Sequence, residues 1–225
     1  GLKDFGGTNV AAVTALNITG AGDLDITLAG GGTSAVASAS AATGDVKMVW
    51  GGNYLTMTGG SGDDTFDASA TGFLGSTSPK TITGGTGTDK VMFDEDVNSL
   101  TSSTSGTDHA MSGVETLEIE GKLANAVSTD PDLTRTVEAD LFSEITTIQV
   151  DASNVDTSDS GDGDQVTITV NDIVDETIEI QSYDGTSSTA GNTLEVSVNL
   201  KTDTGDADSI SLKTLNPSTT TVTTL

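Results

Sequence analysis

Two glycine-and-aspartate runs are the places where this chain could do chemistry. Gly59, Gly60, Ser61, Gly62, Asp63, Asp64, Thr65, Phe66 and Asp67 follow the nine-residue pattern G-G-x-G-x-D-x-U-x, where U is apolar. Gly84, Gly85, Thr86, Gly87, Thr88, Asp89, Lys90, Val91 and Met92 carry every fixed position again. The chemistry this spacing serves is the binding of a hard cation. Calcium takes about six to eight oxygen ligands in a flexible geometry. A glycine-rich turn offers backbone carbonyls, the aspartate adds charge, and the apolar residue two places on points into the core and pins the following strand. Stacking one such turn on the next lets two aspartates and two sets of carbonyls share an ion. An ordinary polar turn is the competing reading, and the second copy weakens it.

Other carboxylates cluster downstream. Asp156, Asp159, Asp162 and Asp164 crowd one loop, and Asp203, Asp206 and Asp208 crowd another. Each is either a further calcium site or a solvated turn, and neither has EF-hand spacing. Asp94, Glu95 and Asp96 follow the second glycine run and either extend its ion cluster or face solvent. His109 is the only histidine. It lacks partners at ligand or general-base spacing and reads as a surface residue. No nucleophile elbow, phosphate-binding loop or zinc signature is present. Sugar sites use aromatic platforms, and the chain has one Trp (Trp50) and two Tyr. Trp50 reads as an edge or core residue. The expectation is that the chain is not an enzyme.

The elements that must position these residues are short. Through the first hundred residues glycine clusters at Gly20/Gly22, Gly30 to Gly32, Gly51/Gly52 and the two runs above. Between them lie β-patterned stretches at 16–19, 25–28, 46–50, 55–58 and 80–83. Repeated short strands joined by glycine turns predict a parallel β-solenoid or β-roll with calcium-binding turns. A β-sandwich is the fallback. The two runs start 25 residues apart, whereas a coil of two nonapeptides is about 18 residues, so a loop within 70–79 holds the excess. Gly20-Ala21-Gly22-Asp23-Leu24-Asp25 is at best a degenerate third repeat.

The second half has less glycine and longer strands, at 115–120, 146–151, 165–170, 176–181, 193–200, 209–215 and 219–225. Alternation is clear at Val166, Ile168, Val170 and at Leu194, Val196, Val198, Leu200. This predicts an antiparallel, sandwich-like domain or a broader continuation of the solenoid. Residues 138–144 could form one helical turn. The boundary is placed in the polar stretch 101–108, giving a glycine-paced domain at 1–105 and a β-rich domain at 106–225. The fold class is all-β.

Composition bounds the rest. Asp+Glu number 34 against Lys+Arg 8, a formal net charge of -26. Such a surface repels nucleic acid and anionic membrane. Hydrophobic residues are 34% and aromatics 4%, which suits a thin core of small side chains repeated along a stack. High charge with low hydrophobicity is also the signature of disorder. The recurrent Val, Ile and Thr strands argue instead for a fold whose carboxylates are neutralised by cations. Cysteine is absent, which excludes disulfides and thiolate metal sites. No apolar run approaches a membrane span. The start at Gly1 and the stop inside a Thr/Val run suggest a segment of a longer protein.

On the two glycine runs the chain resembles the RTX repeat family of secreted bacterial proteins. It looks most like surface-layer (S-layer) proteins and large RTX adhesins of that family. Ser112-Gly113-Val114-Glu115-Thr116-Leu117-Glu118-Ile119 is similar to a strand that often follows such repeats, and Thr146-Thr147-Ile148-Gln149-Val150-Asp151-Ala152-Ser153 to runs within those arrays. The resemblance implies type I secretion, folding outside the cell and Ca2+ in the turns. The ligands it implies are Asp64 and Asp89 with carbonyls of residues 59–63 and 84–88. The leading expectation is a structural extracellular protein on the bacterial cell surface, self-assembling into an S-layer or filament, with cell-surface polysaccharide as a second partner. The alternatives are an adhesin segment that binds surfaces or glycans, and the secretion and calcium-folding region of an exported enzyme.

Overall fold

Short runs in which every second residue is apolar become strands here, because side chains alternate faces along an extended backbone. The computed structural model describes residues 13–28, 32, 34–51, 53–69, 73, 78–94, 110–120, 133–138, 144–151, 165–173, 177–181, 193–200, 213–214 and 220–224. Among the described residues there are strands and no helix, and therefore no helix long and apolar enough to cross a membrane. Every ladder given below is parallel.

The chain forms two compact units, residues 1–93 with 99–117, and residues 94–98 with 118–225. In the first, β1 (Ala15–Gly20), β3 (Ala35–Ala42), β5 (Tyr54–Thr58), β7 (Thr81–Thr83) and β9 (Ala110–Ser112) lie side by side in one sheet. β2 (Leu24–Thr27), β4 (Val46–Val49), β6 (Thr65–Asp67) and β8 (Lys90–Phe93) lie in that order in another, with the start of β10 (Thr116–Glu120) next to β8. The chain therefore alternates between sheets, and one pass is an odd strand followed by an even one. Each strand pairs with the next but one, so no tight hairpin is used.

Register stacks like on like. Ile26, Met48, Phe66 and Val91 are successive partners along the even sheet, and all are buried. Ala37, Met57 and Ile82 do the same along the odd sheet. β4 and β6 are offset by 18 residues, β5 and β7 by 25. The extra residues therefore fall between Asp67 and Thr81, where the sequence placed a loop. Phe73 from that segment is buried, edge-on to Trp50 at 5.3 Å and 5.7 Å from Phe93 between ring centroids. The Lys80 ammonium sits 4.9 Å from the Trp50 ring centre, and the Trp50 indole N–H donates to the Tyr54 carbonyl at 2.9 Å. Trp50 is thus part of the packing.

β3 was not legible as a strand. Its sequence, AVASASAA, alternates with the smallest apolar side chain, and alanine is depleted in strands. Ala35, Ala37 and Ala39 are nonetheless fully buried. Ser34, with φ of 64°, turns the chain into it.

In the second unit β11 (Leu133–Glu138), β13 (Gln165–Ile173), β15 (Thr193–Leu200) and β17 (Thr220–Thr224) form a four-stranded sheet. β12 (Thr147–Asp151), β14 (Thr177–Gln181) and β16 (Lys213–Thr214) form a second ladder. Val137, Val170, Val198 and Thr224 are register partners, as are Ile148 and Ile178. The antiparallel alternative does not hold for these pairs. An even strand intervenes between consecutive odd ones, so the chain returns in the same direction. Glu138 ends β11 rather than opening a helical turn, and residues 139–143 lie outside the described residues.

Candidate metal centre

The turns between odd and even strands carry the aspartates, and ladder register decides which of them meet. Thr43 N–H donates to the Gly20 carbonyl at 2.8 Å, Ser61 N–H to Ala42 at 3.2 Å and Thr86 N–H to Gly60 at 3.0 Å. The same bond recurs from pass to pass, so four turns are stacked in phase. Residues 19–27 and 41–49 are therefore repeats as well. The sequence pattern starts the first at Gly20, one residue late. Gly20 pairs with Ala42 and so stands at the second position, not the first. The second was hidden by alanine at both opening glycine positions and by Val46 at the aspartate position. A signal was present: Gly44 with Met48 keeps the spacing of Gly62 with Phe66.

Two rows of carboxylates run across these turns in opposite senses. In the outer row each Oδ1 accepts from the following pass: Asp23 from Asp45 N–H (3.1 Å), Asp45 from Asp63 N–H (2.9 Å), Asp63 from Thr88 N–H (2.8 Å). These residues are exposed, and Asp23, Asp45, Asp63, Asp25 and Lys47 line an open groove of about 350 Å³. In the inner row each carboxylate accepts from the preceding pass. Val46 N–H donates to Asp64 Oδ1 at 2.7 Å, Asp64 N–H to Asp89 Oδ1 at 2.7 Å, and Asp89 N–H to Glu115 Oε2 at 2.8 Å. Asp64 and Asp89 are each 1% exposed.

The glycines make this closeness possible. A Cβ on Gly59 would run into Asp64 Oδ2 and the Gly84 carbonyl, and one on Gly84 into Asp89 Oδ2 and the Gly113 carbonyl. Gly85 and Gly87 also hold φ of 120° and 137°, which side chains resist. Gly60 would meet the Ala42 carbonyl and Gly62 the backbone of Gly44.

The two repeats differ at their aspartates. Asp64 is satisfied twice, since Oδ2 also accepts Gly60 N–H at 2.6 Å. Asp89 Oδ2 has no hydrogen-bond partner. Burial pushes the Asp89 carboxyl up to about 6; the Asp64 N–H bond opposes this, and the nearby charges of Asp64, Glu115 and Asp63 add to it. A buried carboxylate oxygen near the Gly113 carbonyl and the Glu115 carboxylate is a set of hard oxygens of the kind Ca2+ takes. Among the described residues no three His, Cys, Asp or Glu side chains converge into a cage of their own, so carbonyls would have to complete the shell.

Ser61 and Thr86 sit exposed at the turn tips. Asp94 is described at the end of β8, whereas Glu95, Asp96 and His109 lie outside the described residues. So do Asp156, Asp159, Asp162, Asp164, Asp203, Asp206 and Asp208. Glu115 was singled out in the sequence only for its strand context. Its place beside Asp89 comes from a turn of three residues, 113–115, where the preceding pass uses six, 84–89. No family model, curated protein or solved structure matches the chain.

Proposed function

We propose that this chain is a calcium-stiffened structural segment of an extracellular assembly on a bacterial surface, an S-layer or filament of self-associating copies. In this reading the parallel passes wind as a β-solenoid, and Ca2+ sits in the glycine turns beside Asp89. The observation that carries it is the buried, unpartnered Asp89 oxygen at the junction of stacked glycine turns. A chain with net charge -26 resists compaction until cations neutralise it. Extracellular modules bind calcium at roughly 10⁻⁴–10⁻³ M, far above cytosolic levels. Outside the cell the folded state would gain RT ln(1 + [Ca]/Kd) per independent site, and inside it almost none of that. Carboxylates on neighbouring copies, bridged by calcium, would turn repulsion into cohesion.

The test is chelation. Excess EDTA is expected to dissolve assemblies and lower the β signal in circular dichroism, with both restored by Ca2+ and not by Na+ of equal ionic strength. Spectra and particle size indifferent to chelator would overturn the reading. Electron micrographs of calcium-loaded material should show a lattice or filament. Isolated flexible fibres would favour an adhesin segment instead.

A further inference from the structure

The two glycine runs share every fixed position of the pattern, yet their aspartates are left in different states. Asp64 has both oxygens engaged by backbone N–H groups, one from its own turn and one from the preceding pass. It clamps two passes together without help from an ion. Asp89 makes only the second of these bonds; its other oxygen is buried and unpartnered. That oxygen lies against Gly84, on the side where the Gly113 carbonyl also approaches. Two residues after Gly113 comes Glu115, whose Oε2 takes the Asp89 N–H. Glu115 thus occupies, one pass on, the place that Asp89 occupies toward Asp64. The turn that carries it is three residues shorter, and its side chain is one methylene longer. The longer arm lets a carboxylate reach Asp89 from a turn too short to carry the full repeat.

We infer that Asp89, Gly113 and Glu115 form one divalent-cation site, with Glu115 acting as a ligand supplied from outside the glycine repeats, while Asp64 is a backbone clamp and not a ligand. The inference rests on the calcium reading above and narrows it. The two repeat-like turns do not hold equivalent ions. The site belongs to the junction between the last full repeat and the truncated turn that follows. Two carboxylates, Asp89 and Glu115, meet there, and the charges of Asp64 and Asp63 reach Asp89 as well. That negative charge favours a divalent ion over a monovalent one, and oxygen-only ligation selects Ca2+ over transition metals.

The experiment uses the whole chain, stripped with chelator and titrated with Ca2+ by calorimetry and with Tb3+ by luminescence. Four proteins are compared: unsubstituted, Asp64→Asn, Asp89→Asn and Glu115→Gln. Glu115→Gln keeps an oxygen for the Asp89 N–H, so it tests ligation with the hydrogen bond preserved. Circular dichroism and Trp50 fluorescence in chelator establish that each variant is folded. The expected result is one Ca2+ fewer per chain for Asp89→Asn, and an affinity at that site at least tenfold weaker for Glu115→Gln. Asp64→Asn is expected to lower the denaturation midpoint equally with and without Ca2+ and to retain the ion. Loss of the same ion in Asp64→Asn would overturn the inference, as would unchanged affinity in Glu115→Gln. An unsubstituted chain that takes up no Ca2+ would overturn the functional reading itself. Calcium uptake by all four proteins alike would sink the inference alone and leave that reading standing.

Discussion

Replacing Asp89 with asparagine should stabilise the chelated protein, although it removes a buried residue from the centre of a hydrogen-bond row. The argument is electrostatic. A carboxyl held at about 6 instead of 3.8 costs its ionised form on the order of 3 kcal/mol at neutral pH. Asparagine keeps an oxygen to accept the Asp64 N–H and carries no charge, so that cost is relieved while the bond between passes stays. With a urea m value of about 3 kcal/mol/M, the midpoint should rise by up to about 1 M in EDTA at pH 7.5. The assay is urea denaturation followed by Trp50 fluorescence; this single tryptophan packs against Phe73 in the first unit. Two controls bound the effect. At pH 4 folded Asp89 is almost fully protonated and unfolded Asp89 about half protonated, so most of the gain should be gone. In millimolar Ca2+ the sign should invert, because only the carboxylate binds the ion. A midpoint lowered in EDTA at pH 7.5, or a gain that persists undiminished at pH 4, would refute the claim that an unneutralised buried charge sits here.

The same group gives the chelated parent protein a pH dependence. Its folded value of about 6 lies above the unfolded value near 3.9, so the native state binds more protons between them. The contribution of Asp89 is fully present below about pH 4 and is lost as pH rises through about 6, which a denaturation series across that window should show as a falling midpoint. Gly84→Ala should cost about 2 kcal/mol or more, since its Cβ meets the Gly113 carbonyl and the Asp89 carboxylate, and backbone cannot move aside as a flexible side chain can. The same substitution at Gly22, where a Cβ meets nothing within 4 Å, is the control and should be near neutral in the same thermal melts. Phe66→Ala should cost about 3–5 kcal/mol, because the ring is fully buried in a column between Met48 and Val91 that cannot close the gap. Loss of less than about 1 kcal/mol on denaturation would show that the column is not a packed core.

What the residues revealed in advance depended on side-chain size and charge. Val, Ile, Leu and aromatic positions announced their strands, so β5, β13 and β15 were visible to within a residue or a few. β3 was not, because Ala35, Ala37 and Ala39 alternate by volume too little for hydropathy to register. That the two glycine runs stack on neighbouring passes was legible from their pattern. The inequivalence of their aspartates was not legible, because it arises from which backbone N–H groups reach each oxygen, and that depends on the neighbouring pass. The earlier repeats were hidden because Val46 and Leu24 stand where the pattern demands aspartate. Their buried or part-buried side chains suit a turn that meets no ion. The direction of the second-half strands was beyond alternation, which any strand with one buried face shows, parallel or antiparallel. Only the presence of an even strand between each odd pair decides it.

The excess residues between Asp67 and Thr81 carry a consequence for how such a chain can change. β4 pairs with β6, and β5 with β7, in unbroken register, although the second offset is longer than the first. The ladder is indifferent to the contour length spent between strands, because closing a longer connection costs only about 0.6 kcal/mol per doubling. Material can therefore be spliced into this connection without re-indexing any pair that follows. What the insert must respect is its docking points, Phe73 against Trp50 and Phe93 and Lys80 over the same rings. A foreign peptide grafted at the exposed Ser78 and Pro79 would sit on a frame whose periodic parts need not be redesigned, which makes this connection a natural graft point for cargo.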